Sequence, residues 1–482
     1  MILQRILAFA ALLAAAAACT PDGNPPQTSE AAARPVAASA GSRAGSAPAP
    51  PREIEQQVGA VTYRAPALHA YVDRVGQKLV ARGGVGGSYR FFVLDQPNPN
   101  AHALPSGYVF VTRGLLALLD DEAELAAALA HELGHLTRRH SAQRARAYQG
   151  AMDAAVDAAR TTGSLAIGRS VARDGLLELR RYSRDQELEA DRVGLGYIRQ
   201  AGYRGDAMAS LIDKLNRQAR LEGMYFGDTP ESAERPSAAS THPAPNERLV
   251  ALRGIDTGSG GETGRSAYLA AIDGLPVDDS PEEGFVRGTA FLHPTLKLAF
   301  EVPRDFRLFN DHDGVLGIGR DRSLLYFSCK PAKVSGRLAD WMRDNIKPTP
   351  SDIQSTEIGG AEAAIGERPR GADTGLANFR QVLIRRPDGV CFFNLLAEGL
   401  DRDRRINTLI AAARTFRSLG DGEAASLRPY RLRVMSIDGT SPAQLAARLP
   451  YGDLRMERLL TLNGVDDAAG LVRKGVIKTV EP

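Results

Sequence analysis

The chain has 482 residues, and its 60 basic and 57 acidic side chains leave a formal charge of only +3. That balance, with 6% aromatic residues and no basic stripe interleaved with them, argues against a nucleic-acid partner. The length exceeds one ordinary core and predicts several domains, while 43% hydrophobic and 24% charged residues mark them as globular.

The first nineteen residues, MILQRILAFAALLAAAAAC, place Arg5 ahead of an apolar run from Ile6 to Ala18. The run is too short for a bilayer and polar sequence follows it, which predicts a secretory signal over residues 1–19. Cys19 after three alanines resembles the lipobox of bacterial lipoproteins, although Ala16 stands where that motif usually has leucine. The resemblance implies acylation of Cys19 and a lipid anchor; ordinary cleavage after an A-x-A site is the alternative. Residues 20–52 are rich in Pro, Ala and Ser and predict a tether that buries no core.

Asp120 and Asp121 followed by Glu124 predict a helix start with capping-box spacing, and the sequence EAELAAALAHELGHLTRR then continues in strong helix formers. On that helix His131 and His135 lie one turn apart on one face, a spacing that lets two imidazoles hold one ion. Glu132 lies next along and can reach a water on that ion. Gly134 permits another element to approach closely. A hydrolytic zinc site needs a third protein ligand. The next acidic cluster, SRDQELEADRVG, supplies Glu187 for this, with Asp191 one turn on to receive the outer N–H of a ligating histidine. Glu189 is expected to point away. Residues 141–180 carry charges too often for lipid and predict a soluble helical pair over the cleft. His140 is read as structural.

His131-Glu132-x-x-His135 followed by Glu187-x-x-x-Asp191 is the gluzincin arrangement. With NAHALPSGYVFVTRGLL (100–116) it resembles the HtpX-like and CAAX-prenyl-protease-like zinc metallopeptidases, in their soluble, exported YfgC-like branch. The resemblance covers about residues 53–255. It implies zinc held by His131, His135 and Glu187, with Glu132 as general base and Asp191 behind a ligand. It also implies a strand bordering the cleft, whose Tyr108, Val109, Phe110 and Val111 would offer an edge to an extended substrate. His102 stands where relatives more often carry phenylalanine and is expected in an exposed loop. The segment STHPAPNERLVALR (240–253) resembles the family's THP-x-x-x-x-R stretch. His242 is there a removable fourth ligand, an oxyanion donor, or a plain turn residue before Pro243.

The rest of the chain predicts a linker over 256–284 and a strand-rich α+β accessory domain over 285–425, faintly like the Mog1/PsbP fold. Cys329 and Cys391 lie in its strands, either paired or as two buried thiols. Residues 428–482 resemble a LysM module of order βααβ, which implies either peptidoglycan binding or a structural unit. The expected fold class is α+β throughout, beginning with a mostly helical metallopeptidase domain that has a small sheet. The expected protein is a zinc endopeptidase of the periplasm, anchored by lipid to the outer membrane. Its expected partners are unfolded or misassembled envelope proteins. The alternative is a non-proteolytic chaperone or scaffold built on the same cleft.

Overall fold

The computed structural model describes residues 50–225, 245–253, 255, 258, 260–311, 313–369 and 378–482. The expected signal, Cys19, most of the tether and His242 lie outside the described residues. Helices α1 (Arg52–Val58) and α2 (Pro66–Arg82) precede a three-stranded sheet of β1 (Arg90–Leu94), β2 (Ala101–Ala103) and β3 (Tyr108–Thr112). The strand order is β1-β3-β2, with β1 parallel and β2 antiparallel to β3.

The expected free edge at Tyr108, Val109, Phe110 and Val111 is therefore absent. β3 is the middle strand, paired on both sides and buried along its whole length. The run YVFVT is apolar on both faces, as a strand buried on both faces requires. β2 is the terminal strand on that side. His102 lies in β2, not in an exposed loop, and its ring stacks on Phe110 with centroids 5.2 Å apart.

Helix α3 (Arg113–Leu118) follows directly and is capped by the Thr112 hydroxyl, which accepts from Leu115 N–H at 3.1 Å. Helix α4 (Glu122–Thr137) starts where the sequence predicts, with the Asp121 carboxylate accepting from Glu124 N–H at 2.9 Å. The Glu124 side chain reaches past Asp121 to the Asp120 N–H at 2.7 Å. Every residue from Ala123 to His135 is buried, a position that a helix apolar almost all round can take.

Helices α5 (His140–Thr162) and α6 (Leu165–Gln200) form a hairpin, the second arm being one unbroken helix of 36 residues. Helices α7 (Ala207–Tyr225), α8 (Pro245–Arg253) and α9 (Arg265–Ile272) follow. Residues 256–284, expected as a linker, carry α9, whose Tyr268, Leu269 and Ile272 enter the same core as α2, α4 and the small sheet. No helix among the described residues is long and apolar enough to cross a membrane.

Beyond it, β4 (Phe285–Arg287), β5 (Ala290–His293) and β6 (Leu298–Glu301) belong to a four-stranded sheet completed by β14 (Arg417–Ser418). The strands β7 (Phe306–Asp311), β8 (Gly314–Gly319), β9 (Leu324–Pro331), β10 (Ser351–Ile358), β11 (Ala361–Arg368), β12 (Phe379–Arg386) and β13 (Gly389–Leu396) form a seven-stranded antiparallel sheet. Its two faces are covered separately. Helix α10 (Leu338–Asn345) packs with Phe392 and Tyr326, and α11 (Arg402–Ala413) with Phe393 and Phe327, as the alternation of a strand requires. Cys329 and Cys391 stand opposite each other on β9 and β13 and form a disulfide.

After α12 (Asp421–Ser426) come β15 (Arg431–Ser436), α13 (Pro442–Arg448), α14 (Arg455–Leu462), α15 (Ala468–Lys474) and β16 (Val476–Glu481). The third short helix departs from the βααβ order expected of a LysM module. This unit is fused to the N-terminal helical body. Leu432 of β15 is buried in the body's core and exchanges backbone hydrogen bonds with Gly274 and Leu275. Lys478 of β16 is fully buried, and its ammonium donates to the carbonyls of Ala117, Leu118 and Leu119 at 2.7–2.8 Å, closing the end of α3. The same ammonium lies 3.1 Å from Asp120, which Lys214 also reaches at 2.8 Å and Lys474 contacts directly. Burial alone would raise the Asp120 carboxyl, but these three ammonium groups hold it below the ordinary carboxylate range.

Lys478→Ala leaves Asp120 two of its three lysines but removes the donor to the carbonyls of Ala117, Leu118 and Leu119. Leaving buried polar groups unsatisfied should destabilise the N-terminal body by about 1–3 kcal/mol. Thermal or urea unfolding checks this, with Arg404→Ala, at an exposed pair with Asp401, expected to leave the midpoint unmoved.

Candidate metal centre

Two glycines set the distance between the helices that carry the site. A Cβ on Gly134 of α4 would stand 2.9 Å from the Ala190 carbonyl oxygen of α6. A Cβ on Gly194 of α6 would stand 3.1 Å from the backbone nitrogen of His131. The helices thus meet backbone to backbone, and Glu187, one turn before Ala190, is delivered onto the HExxH face.

His131, His135 and Glu187 are all buried, and one ligand atom from each lies within 4.8 Å of the others. The two Nε2 atoms are 3.0 Å apart, and Glu187 reaches His131 Nε2 at 3.3 Å and His135 Nε2 at 3.4 Å. Ligands each about 2.0–2.1 Å from one tetrahedral ion sit about 3.3 Å from one another. The donor set and its spacing fit zinc, and Glu132 is buried beside it on α4.

Behind His131, its Nδ1 lies 2.9 Å from Asp191 Oδ1. Arg248 of α8 grips that carboxylate through two bonds of 2.7 Å, from Nε and from Nη2, and its Nη1 lies 3.5 Å from Glu187. Burial would raise the Asp191 carboxyl, yet the Arg248 charge and its hydrogen bonds, with His131, keep it well below its usual value. Burial and Arg248 oppose a charge on His131, but hydrogen bonds to Asp191 and Glu187 outweigh them and lift it to about 9. Burial lowers His135 despite the same glutamate, which favours a neutral ring with a free lone pair.

The structure brings together His131, Glu132, His135, Glu187 and Asp191 as the spacing predicts. It does not bring Tyr108–Val111 to an edge. Arg248 is the arginine of the THP-x-x-x-x-R stretch, a signal present in the sequence to which no role was attached. Glu189 does point away from the ligand cluster, but it pairs with Arg138 and His140 at 3.2 Å each.

Residues 66–256 match the model of peptidase family M48. The matched stretch holds His131, Glu132, His135, Glu187, Asp191 and Arg248. Over 201 residues the chain is 29% identical to the beta-barrel assembly-enhancing protease of Escherichia coli strain K12, 39% of each chain being covered. Over 182 residues it is 33% identical to the mitochondrial metalloendopeptidase OMA1 of Schizosaccharomyces pombe, covering 37% of this chain and 50% of that one. The similarity to the bacterial relative thus spans well under half of its length.

Asp191→Asn removes the negative charge that backs His131 and holds Arg248, and should weaken zinc binding ten- to a hundredfold. Competition with a chromophoric chelator at fixed pH measures it. An unchanged dissociation constant would separate Asp191 from the metal centre.

Proposed function

We propose that this protein is a zinc-dependent endopeptidase of the bacterial envelope that cleaves unfolded or misassembled envelope proteins. The observation that carries the proposal is the convergence of His131, His135 and Glu187 at ligand spacing, with Glu132 buried next to His131 on the same helix. The E. coli relative is a beta-barrel assembly-enhancing protease, which supports an envelope substrate. Zinc held by the three ligands supplies Lewis-acid polarisation of a water and of the scissile carbonyl. Glu132 takes the proton from the attacking water and returns it to the leaving amine. An extended substrate pairs with β2, which packs beside α4; backbone pairing of this kind accepts many sequences.

Glu132→Gln should abolish cleavage of an unfolded protein such as casein while leaving about one zinc per chain. Full activity in this variant would exclude the mechanism, and a zinc-loaded parent with no proteolysis would favour a chaperone or scaffold. Glu187→Gln should instead lower the zinc content.

For His242, outside the described residues, the proposal carries two roles, a removable fourth ligand or an oxyanion donor. The two roles predict opposite signs for His242→Ala. Basal proteolysis rises if His242 blocks the open position. It falls about a hundredfold or more if His242 donates to the oxyanion, a loss of about 2.7–4 kcal/mol. An unchanged rate leaves His242 as a turn residue.

Export through residues 1–19 with acylation at Cys19 places the protein at the periplasmic face of the outer membrane. Cys19→Ser should then move it from the membrane to the soluble fraction, and equal membrane association of parent and variant would reject the anchor. Binding of peptidoglycan by residues 428–482 is the remaining partner, tested by co-sedimentation of the full chain with purified sacculi.

A further inference from the structure

We infer that His140 and Glu189 are positioning residues for the metal ligand His135, holding its ring through a relay that ends at the protein surface. This rests on the zinc reading of the site. His140 is the first residue of α5 and is fully buried. Its Nδ1 lies 2.8 Å from His135 Nδ1, and its Nε2 lies 3.2 Å from Glu189 Oε2. With His135 Nε2 turned to the ion, the neutral ring carries its proton on Nδ1. That proton points at His140 Nδ1, which must accept it. His140 then carries its own proton on Nε2, where Glu189 accepts. Each tautomer is fixed by the next, and no other assignment satisfies both contacts around a metal-bound His135.

The backbone is bent to make this contact. Arg139, between α4 and α5, has φ 56°, in the left-handed region that residues with a Cβ avoid. The turn follows the end of α4 at Thr137, two residues after His135, and folds His140 back against the ring. Ordinary continuation of the helix would have carried His140 past it. A non-glycine residue held in such a conformation is typical of a constrained functional segment.

The two zinc histidines are thus supported unequally. His131 leans on a carboxylate that is itself locked by a buried arginine. His135 leans on a second histidine and on Glu189, whose side chain is 47% exposed. Glu189 also meets Arg138, half exposed in turn. A metal-ligating histidine commonly gives its outer N–H to a carboxylate or carbonyl, and loss of that partner typically costs ten- to a hundredfold in metal affinity.

The test measures zinc dissociation constants of the full-length chain by chelator competition, with cobalt(II) absorption as a second readout of ligand geometry. Glu189→Gln touches no core packing and should weaken zinc about tenfold. His140→Ala should weaken it ten- to a hundredfold and change the cobalt spectrum, and His140→Gln, whose carboxamide can still accept from His135, should recover part of the loss. Thermal unfolding of the metal-free variants controls for folding. Parent-like zinc affinity in both Glu189→Gln and His140→Ala overturns the inference, as does a loss that merely follows lowered metal-free stability. A parent that binds zinc normally but cleaves nothing defeats the peptidase proposal and leaves the relay standing; a parent that binds no zinc defeats both.

Discussion

The closeness of α4 and α6 governs everything else in the peptidase body. Donors for one small ion must converge within a few ångströms, yet they come from helices that are far apart in sequence. Ordinary helix pairs lie about 8–10 Å apart, depending on the side chains between them. Gly134 and Gly194 remove those side chains at the crossing, and the Ala190 backbone settles against α4. A methyl group at Gly134 would press on the Ala190 backbone, and one at Gly194 would meet the Met208 side chain and then the backbone of Ala130 and His131. Glu187, one turn before the Ala190 contact, and Asp191, next to it, would withdraw together from His131.

Such a crossing concentrates ionisable groups where water is scarce, and the fold answers by pairing each of them. The Asp191 carboxylate lies between an imidazole and a guanidinium. At the other end of α4, Asp120 is surrounded by three lysines drawn from α7, α15 and β16. Buried charges without such partners would cost several kcal/mol each. The active-site helix is thus pinned at both ends by electrostatics and along its sides by alanine and leucine packing, which restricts the motion of the residues it carries.

The parts of this arrangement written in helical periodicity could be read from the sequence. His131 and His135, and Glu187 and Asp191, recur at one-turn spacing, so their faces follow from geometry. Asp121 at the start of α4 follows from capping chemistry. The relation of β3 to its neighbours was harder, because an apolar run does not say whether both its edges are paired. His140 escaped because it lies beyond a turn at Arg139 whose left-handed backbone no residue type there announces. Arg248 was visible only as part of a stretch of residues, since a guanidinium gripping a carboxylate 57 positions away leaves no periodic trace. The same holds for Cys329 and Cys391, whose pairing depends on the register of β9 against β13. It holds equally for Lys478, whose partners lie more than 350 positions earlier.

That last separation bears on how the molecule is made. Polypeptides leave the ribosome, and cross a translocation channel, from the N-terminal end. The carbonyls at the end of α3 and the Asp120 carboxylate emerge early, but Lys474 follows 354 residues later and Lys478 later still. Until then the N-terminal end of α4 faces a buried anion with part of its counter-charge missing. The contacts that Lys474 and Lys478 make with the body therefore form only after the disulfide-linked sheet has been synthesised. A chain cut short anywhere before β16 is left with an unfinished body, so the timing of maturation is tied to the arrival of intact chains.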